Sequence, residues 1–150
     1  MKKMDKEMNV IRQFGWFFYL SGKEDLLEKF KCGKWMYFFK AQDQEFAKMI
    51  CQKAINEEIV YECKCTDIEF SNTEEGVICF YLNEDDTENH HRVIQFMLNN
   101  DLIRKTKTGK LYNISFKLDN QTSAGEYGDS FESKLKLEHF VNLFTGEFIR

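Results

Sequence analysis

Gly33-Lys34-Trp35-Met36-Tyr37-Phe38-Phe39-Lys40 is the stretch that most restricts how this chain can fold. From Lys34 to Phe39 every residue carries a large side chain, and a strand sends successive side chains to opposite faces. Both faces of this strand must therefore be covered, which predicts a central strand. Phe14-Gly15-Trp16-Phe17-Phe18-Tyr19-Leu20 is a second aromatic run of strand type. The chain lacks Pro entirely and holds 15 Phe, 6 Tyr and 2 Trp in 150 residues. That composition excludes collagenous and proline-rich architectures and argues against disorder; a chain of this length is expected to form a single domain over 1–150.

Further along, Asp43 can cap a helix over about 43–57, where Phe46, Met49, Ile50 and Ala54 recur at helical spacing. Strand-forming residues return over 59–66 and 77–82, separated by a polar break containing Gly76. Asp85-Asp86-Thr87 opens a second helix with Val93, Ile94, Met97 and Leu98 on one face. Residues 102–104 and 111–117 read as strands joined by a basic turn at Gly109. A polar segment over 1–13 precedes this framework, and the tail over 129–150 fits strand or helix equally. The order strand-strand-helix, twice, predicts an α+β fold: a curved antiparallel sheet built from strand-strand-helix units, with helices packed on one face.

The net charge of −4 supplies no long-range attraction for duplex nucleic acid. Arg104-Lys105-Thr106-Lys107-Thr108-Gly109-Lys110 is locally basic, as a solvated hairpin tip or as a phosphate-facing loop. No apolar run reaches the roughly 20 residues of a membrane span, and the N-terminus lacks an export-type apolar core. A cytoplasmic protein with reduced thiols is expected, with Cys32, Cys51, Cys63, Cys65 and Cys79 mostly buried. Cys63 and Cys65 share one strand face, but with His90 and His91 they match no zinc spacing, so neither a metal nor a cofactor is predicted. His90 and His91 fall near the start of the second helix and read as surface or capping residues. Glu84-Asp85-Asp86 reads as capping and dipole stabilisation rather than a metal cluster.

One stretch offers ligand chemistry. Residues 117–128, Lys117-Leu118-Asp119-Asn120-Gln121-Thr122-Ser123-Ala124-Gly125-Glu126-Tyr127-Gly128, leave a strand and become small, polar and Gly-punctuated. Such a segment presents hydroxyls, backbone N–H groups and a cation to an anion, or it is an ordinary strand exit. It lacks the spacing of a P-loop. Trp16, after Gly15, is the tryptophan placed to reach a cleft, whereas Trp35 reads as core.

Three segments, 33–39, 76–81 and 117–127, resemble the basophilic-leukaemia-expressed protein family, whose bacterial members carry a phosphothreonine lyase domain label. The resemblance rests on an early Gly33-Lys34-Trp35 strand and on Lys117, Asp119, Thr122, Ala124, Gly125 and Tyr127, with Leu118 where the family has Thr. It spans roughly residues 14–128 and implies a fold like the cap-binding translation initiation factor, whose own strand resembles Lys34–Lys40. The departures matter. No Trp follows Trp35, so the cap-stacking pair does not carry over, and the Lys-x-His arrangement of a phosphothreonine lyase is absent.

The expected function is non-enzymatic binding of a small anionic, nucleotide-like ligand on the concave side of the sheet. Lys34, Lys117, Asp119, Thr122, Ser123, Gly125 and Tyr127 would supply polar contacts, and Trp16 or Tyr112 a stacking plane. A nucleotide-signal sponge of a low-GC bacterium or its phage is one concrete version. The alternatives are a phosphate-eliminating lyase or phosphoesterase with Lys117 as base and Asp119 or a histidine as partner, and a protein-binding inhibitor using exposed aromatics and the Glu84–Asp86 edge.

Overall fold

Alternation decides which side of each strand is buried. The computed structural model describes residues 9–119 and 135–149. The strands are β1 (Val10–Gln13), β2 (Trp16–Leu20), β3 (Cys32–Lys40), β4 (Glu62–Thr66), β5 (Glu75–Asn83) and β6 (Lys117–Leu118). The helices are α1 (Gln44–Asn56), the single turn α2 (Ile68–Ser71) and α3 (Thr87–Asn99). In β2, Phe17 and Tyr19 are buried while Trp16, Phe18 and Leu20 are half-buried. In β4 the buried pair is Cys63 and Cys65. The register aligns Phe17 with Cys65, Tyr19 with Cys63 and Trp35 with Phe80, so these side chains share one face.

Both long helices pack on that face. Ala47, Ile50, Cys51, Ala54 and Ile55 of α1 and Val93, Ile94, Phe96 and Met97 of α3 join the strand residues in one core. The Cys63 thiol reaches the Cys51 carbonyl at 3.5 Å, and Phe96 meets Phe80 edge-on at 6.0 Å. Asp86 caps α3 by accepting from the Asn89 N–H. Asp43 occupies the equivalent position of α1 without a side-chain cap. There Gln44 takes over, donating to Thr66 O and accepting from the Ile68 N–H, which ties the helix start to the end of β4.

The six strands form an open antiparallel sheet in the order β1-β2-β4-β5-β3-β6, so the domain is α+β. Several expectations need correction. Phe14 and Gly15 have φ of +53° and +89° and make a two-residue turn, the primed geometry that joins tightly paired strands. The first aromatic run is thus cut at Gly15, and β1 lies within the segment read as merely polar. Second, the two strands of the first strand-strand-helix unit, β2 and β3, are not neighbours: β4 and β5 are inserted between them. Third, β3 is next to the sheet edge rather than central. It pairs with β5 along all nine residues but with β6 only at Gly33 and Lys34. Large side chains on both faces demanded cover over the faces, not strands on both edges. Arg104 blocks part of the free edge, donating to Phe38 O and stacking on Tyr37 at 4.7 Å. Of the strands expected over 102–104 and 111–117, the structure keeps the bridges Lys105↔Leu111 and Ser115↔Lys136 and, at Lys117, the start of β6. Of the tail, residues 135–149 form a one-turn helix at Leu137–His139 and the bridge Val141↔Phe148.

Gly33, Lys34 and Trp35 each do a different job. A Cβ on Gly33 would lie 2.5 Å from the Phe116 ring and 2.6 Å from Lys117 O, so only glycine lets this segment lie against β3. Trp35 points into the core, fully buried, and its indole N–H donates to His90 Nδ1 at 3.0 Å. His90 Nε2 then donates to Glu84 O at 2.8 Å. His90 is therefore no surface residue: it is fully buried against Phe116 and Phe140. Burying an indole of about 200 Å² contributes roughly 5 kcal/mol before entropy is counted. Lys34 points the other way.

Candidate functional site

The face opposite α1 and α3 carries every second strand residue, and its register can be read in rows. One row runs Leu20, Glu62, Tyr81, Lys34, Lys117 across β2-β4-β5-β3-β6. The next runs Phe18, Lys64, Cys79, Met36. Trp16 lies one row further, paired with Thr66. Lys34, Lys64 and Lys117 thus share a face with Trp16, Phe18 and Tyr81.

The side chains meet. The Lys64 ammonium sits 3.8 Å from the Trp16 ring centroid, 5.6 Å from Phe18 and 5.8 Å from Tyr81. Lys34 approaches Tyr81 at 5.8 Å as well, so two ammonium groups attend one ring. Lys34 also pairs with Asp119, which follows β6, and the Cys32 thiol lies 3.9 Å from the other Asp119 oxygen. Among the described residues Lys64 makes no ion pair; its charge rests on aromatic faces, which attract cations through their quadrupoles.

Burial perturbs these groups. Desolvation lowers the Lys64 pKa below the usual lysine value. It raises Glu62, with Glu24 adding repulsion. The Cys32 thiol is pushed up to about 12, mainly by desolvation and then by the Asp119 charge, so it stays protonated at neutral pH. Burial also raises Tyr81 and Cys79, leaving both neutral. Titratable groups perturbed together on one surface are the pattern of functional sites. Lys34 and Lys64 beside aromatic planes, with Lys117 on the same face, can hold an anion and stack a planar group.

Of the residues singled out from sequence, Trp16, Lys34, Lys117 and Asp119 fall on this face. Tyr112 belongs to no strand; it is half exposed and its N–H donates to Arg104 O, with no described contact to the lysines. Thr122, Ser123, Gly125 and Tyr127 lie outside the described residues. Lys64, Tyr81, Glu62 and Phe18 were missed. Their signal was available: once Cys63 and Cys65 share a buried face, the intervening Lys64 must face the other way.

The remaining candidates are structurally employed. Asp85 pairs with Lys31 at 2.9 Å and Asp86 caps α3. His139 Nδ1 accepts from the Lys136 N–H, and His91 packs between Phe140 and Phe148. No histidine contact places a proton donor beside Lys117 among the described residues. The basic turn is closed by Thr106 N–H to Lys110 O and Gly109 N–H to Thr106 O. A cleft of about 600 Å³ opens elsewhere, lined by Ser21, Lys23, Glu58, Tyr61, Asn89 and Arg92 among others. Its cations are engaged: Arg92 donates to the Glu58 and Glu57 carbonyls and Lys23 faces Glu58 at 4.0 Å.

Among the described residues no grouping of three His, Cys, Asp or Glu could hold a metal, and no helix is long and apolar enough to cross a membrane. No protein-family model matches the chain, and no curated protein matches it in sequence.

Proposed function

We propose that this protein binds a small anionic, nucleotide-like ligand on the sheet face opposite its helices. The observation that carries the reading is Lys64 on Trp16, in the same surface as Lys34 and Lys117. Aromatic planes stack bases without sequence preference, and lysines provide the charge for phosphate. An open sheet backed by helices is also what the family resemblance of 33–39, 76–81 and 117–127 implies, and membership of that family is part of this proposal. Binding without turnover is favoured over elimination chemistry because Lys117 has no described histidine partner and the Asp119 carboxylate is engaged by Lys34 and Cys32. In a sequestering role, the ligand is held and released intact.

A thermal-shift screen of nucleotides tests this. A ligand at one hundred times its Kd stabilises the native state by about 2.7 kcal/mol, which raises Tm by roughly 5–10 °C for a domain of this size. The rise should vanish in K34Q/K64Q. Ligand recovered unchanged supports sequestration; recovery of a dephosphorylated or eliminated product makes the protein an enzyme. No shift with any nucleotide removes the proposal.

A further inference from the structure

Lys34 and Lys117 stand directly opposite one another in the β3–β6 pair. Side chains so placed have Cβ atoms about 4.5–5.5 Å apart, and like charges there repel. The neutralising group is Asp119, two residues along from Lys117 and on the same face. One carboxylate oxygen meets the Lys34 ammonium, and the other is 3.9 Å from the Cys32 thiol. A donor set of ammonium and thiol, with Lys117 across the strand pair from Lys34, suits an oxyanion, and the chain fills it with its own carboxylate.

We propose that Asp119 is an internal occupant of the anion subsite, displaced when the phosphate of a nucleotide binds between Lys34 and Lys117; this inference rests on the proposed binding function. Two features support displacement. Among the described residues β6 has two in register with β3, the shortest strand pairing, so the backbone carrying Asp119 is held there by few ladder bonds. Asp119 also keeps about a third of its side-chain surface exposed, whereas Lys34 keeps 15%, so the carboxylate is the more solvated partner of the pair. A phosphate monoester brings up to two negative charges against the one of Asp119, and two lysines can accept both. Loss of the Asp119 contact is offset by that gain, so Asp119 sets the threshold at which ligand binds.

The test is calorimetric titration of AMP, with adenosine as the phosphate-free control, into wild type, D119N, D119E and K34Q. Removing the competing charge should tighten AMP binding about 5- to 10-fold in D119N. D119E restores the carboxylate and should bind as wild type does or more weakly, and adenosine affinity should not respond to position 119. Asp119→Ser is measured alongside, so a folding defect in one variant leaves the comparison standing. If wild type binds AMP and K34Q does not, yet D119N and D119S bind no tighter, the occupant role is wrong while the binding function survives. If neither wild type nor the Asp119 variants bind AMP, the occupant role falls, while the binding function falls only when the thermal-shift screen finds no nucleotide at all.

Discussion

Replacing His90 by Phe removes the acceptor for the Trp35 indole and the donor to Glu84 O while nearly preserving ring volume. A buried donor left without a partner costs about 1–3 kcal/mol, and the second lost bond about 1 kcal/mol. H90F should therefore lose roughly 2–4 kcal/mol, lowering Tm by about 5–15 °C at 2–4 °C per kcal/mol. W35F removes the donor from the other side, so the double variant W35F/H90F should cost about 1–2 kcal/mol less than the sum of the singles. The pH dependence follows from the same burial. Desolvation lowers the His90 pKa in the native state, whereas an unfolded histidine titrates near 6.5. Below about that pH the unfolded chain binds a proton that the native state refuses, so stability falls as pH drops from there toward the native pKa. H90F should flatten that limb. Urea unfolding at pH 7.5 and 5.5 measures both effects. Additive single variants, or an H90F loss below about 0.5 kcal/mol, would refute the hydrogen-bonded pair.

Three further outcomes are expected. Gly33→Ala forces its methyl into Phe116 and the Lys117 carbonyl; overpacking of this kind costs about 1–3 kcal/mol, and hydrogen exchange at residues 116–118 should quicken more than in α1. Hydrogen bonds from Arg12 hold the Asp67 carboxyl below the usual carboxylate range. The native state thus keeps Asp67 ionised where the unfolded chain protonates it, near pH 3.9, and stability is lost as pH falls below that; melting of D67N should depend less on pH between 5 and 3. Lys64→Met keeps an unbranched stem on the aromatic surface, so Tm should change little while AMP binding weakens about tenfold, a loss of about 1.4 kcal/mol.

Local features of this fold were legible and its pairings were not. Helical spacing located α1 and α3 within one or two residues, because each buries a single apolar stripe whose period is intrinsic to the chain. Trp35 was legible as core because it lies inside a strand whose residues 34–39 all carry large side chains, so the apolar ones need cover. The partner of β2 was not legible: pairing with β4 is made across more than forty residues, and Trp16–Leu20 carries no code for it. β1 was missed because an outer strand of four residues, with Ile11, Arg12 and Gln13 exposed, shows no clean alternation. In the site, Lys34, Lys117 and Asp119 were found through charge and glycine punctuation. Lys64 was hidden by its neighbours, since Cys-Lys-Cys draws the eye to thiols while the opposite face of β4 holds the cation.

The most direct measurement of anion binding on this face is an amide NMR titration of the labelled full chain with AMP. Shift changes should concentrate at Trp16, Phe18, Lys34, Lys64, Tyr81, Lys117 and Asp119, with α1 and the outer surface of α3 silent. Shifts centred instead on Ser21, Tyr61, Asn89 and Arg92, which line the separate cleft, or no shifts at millimolar nucleotide, would contradict the assignment of the site to the sheet face opposite α1 and α3.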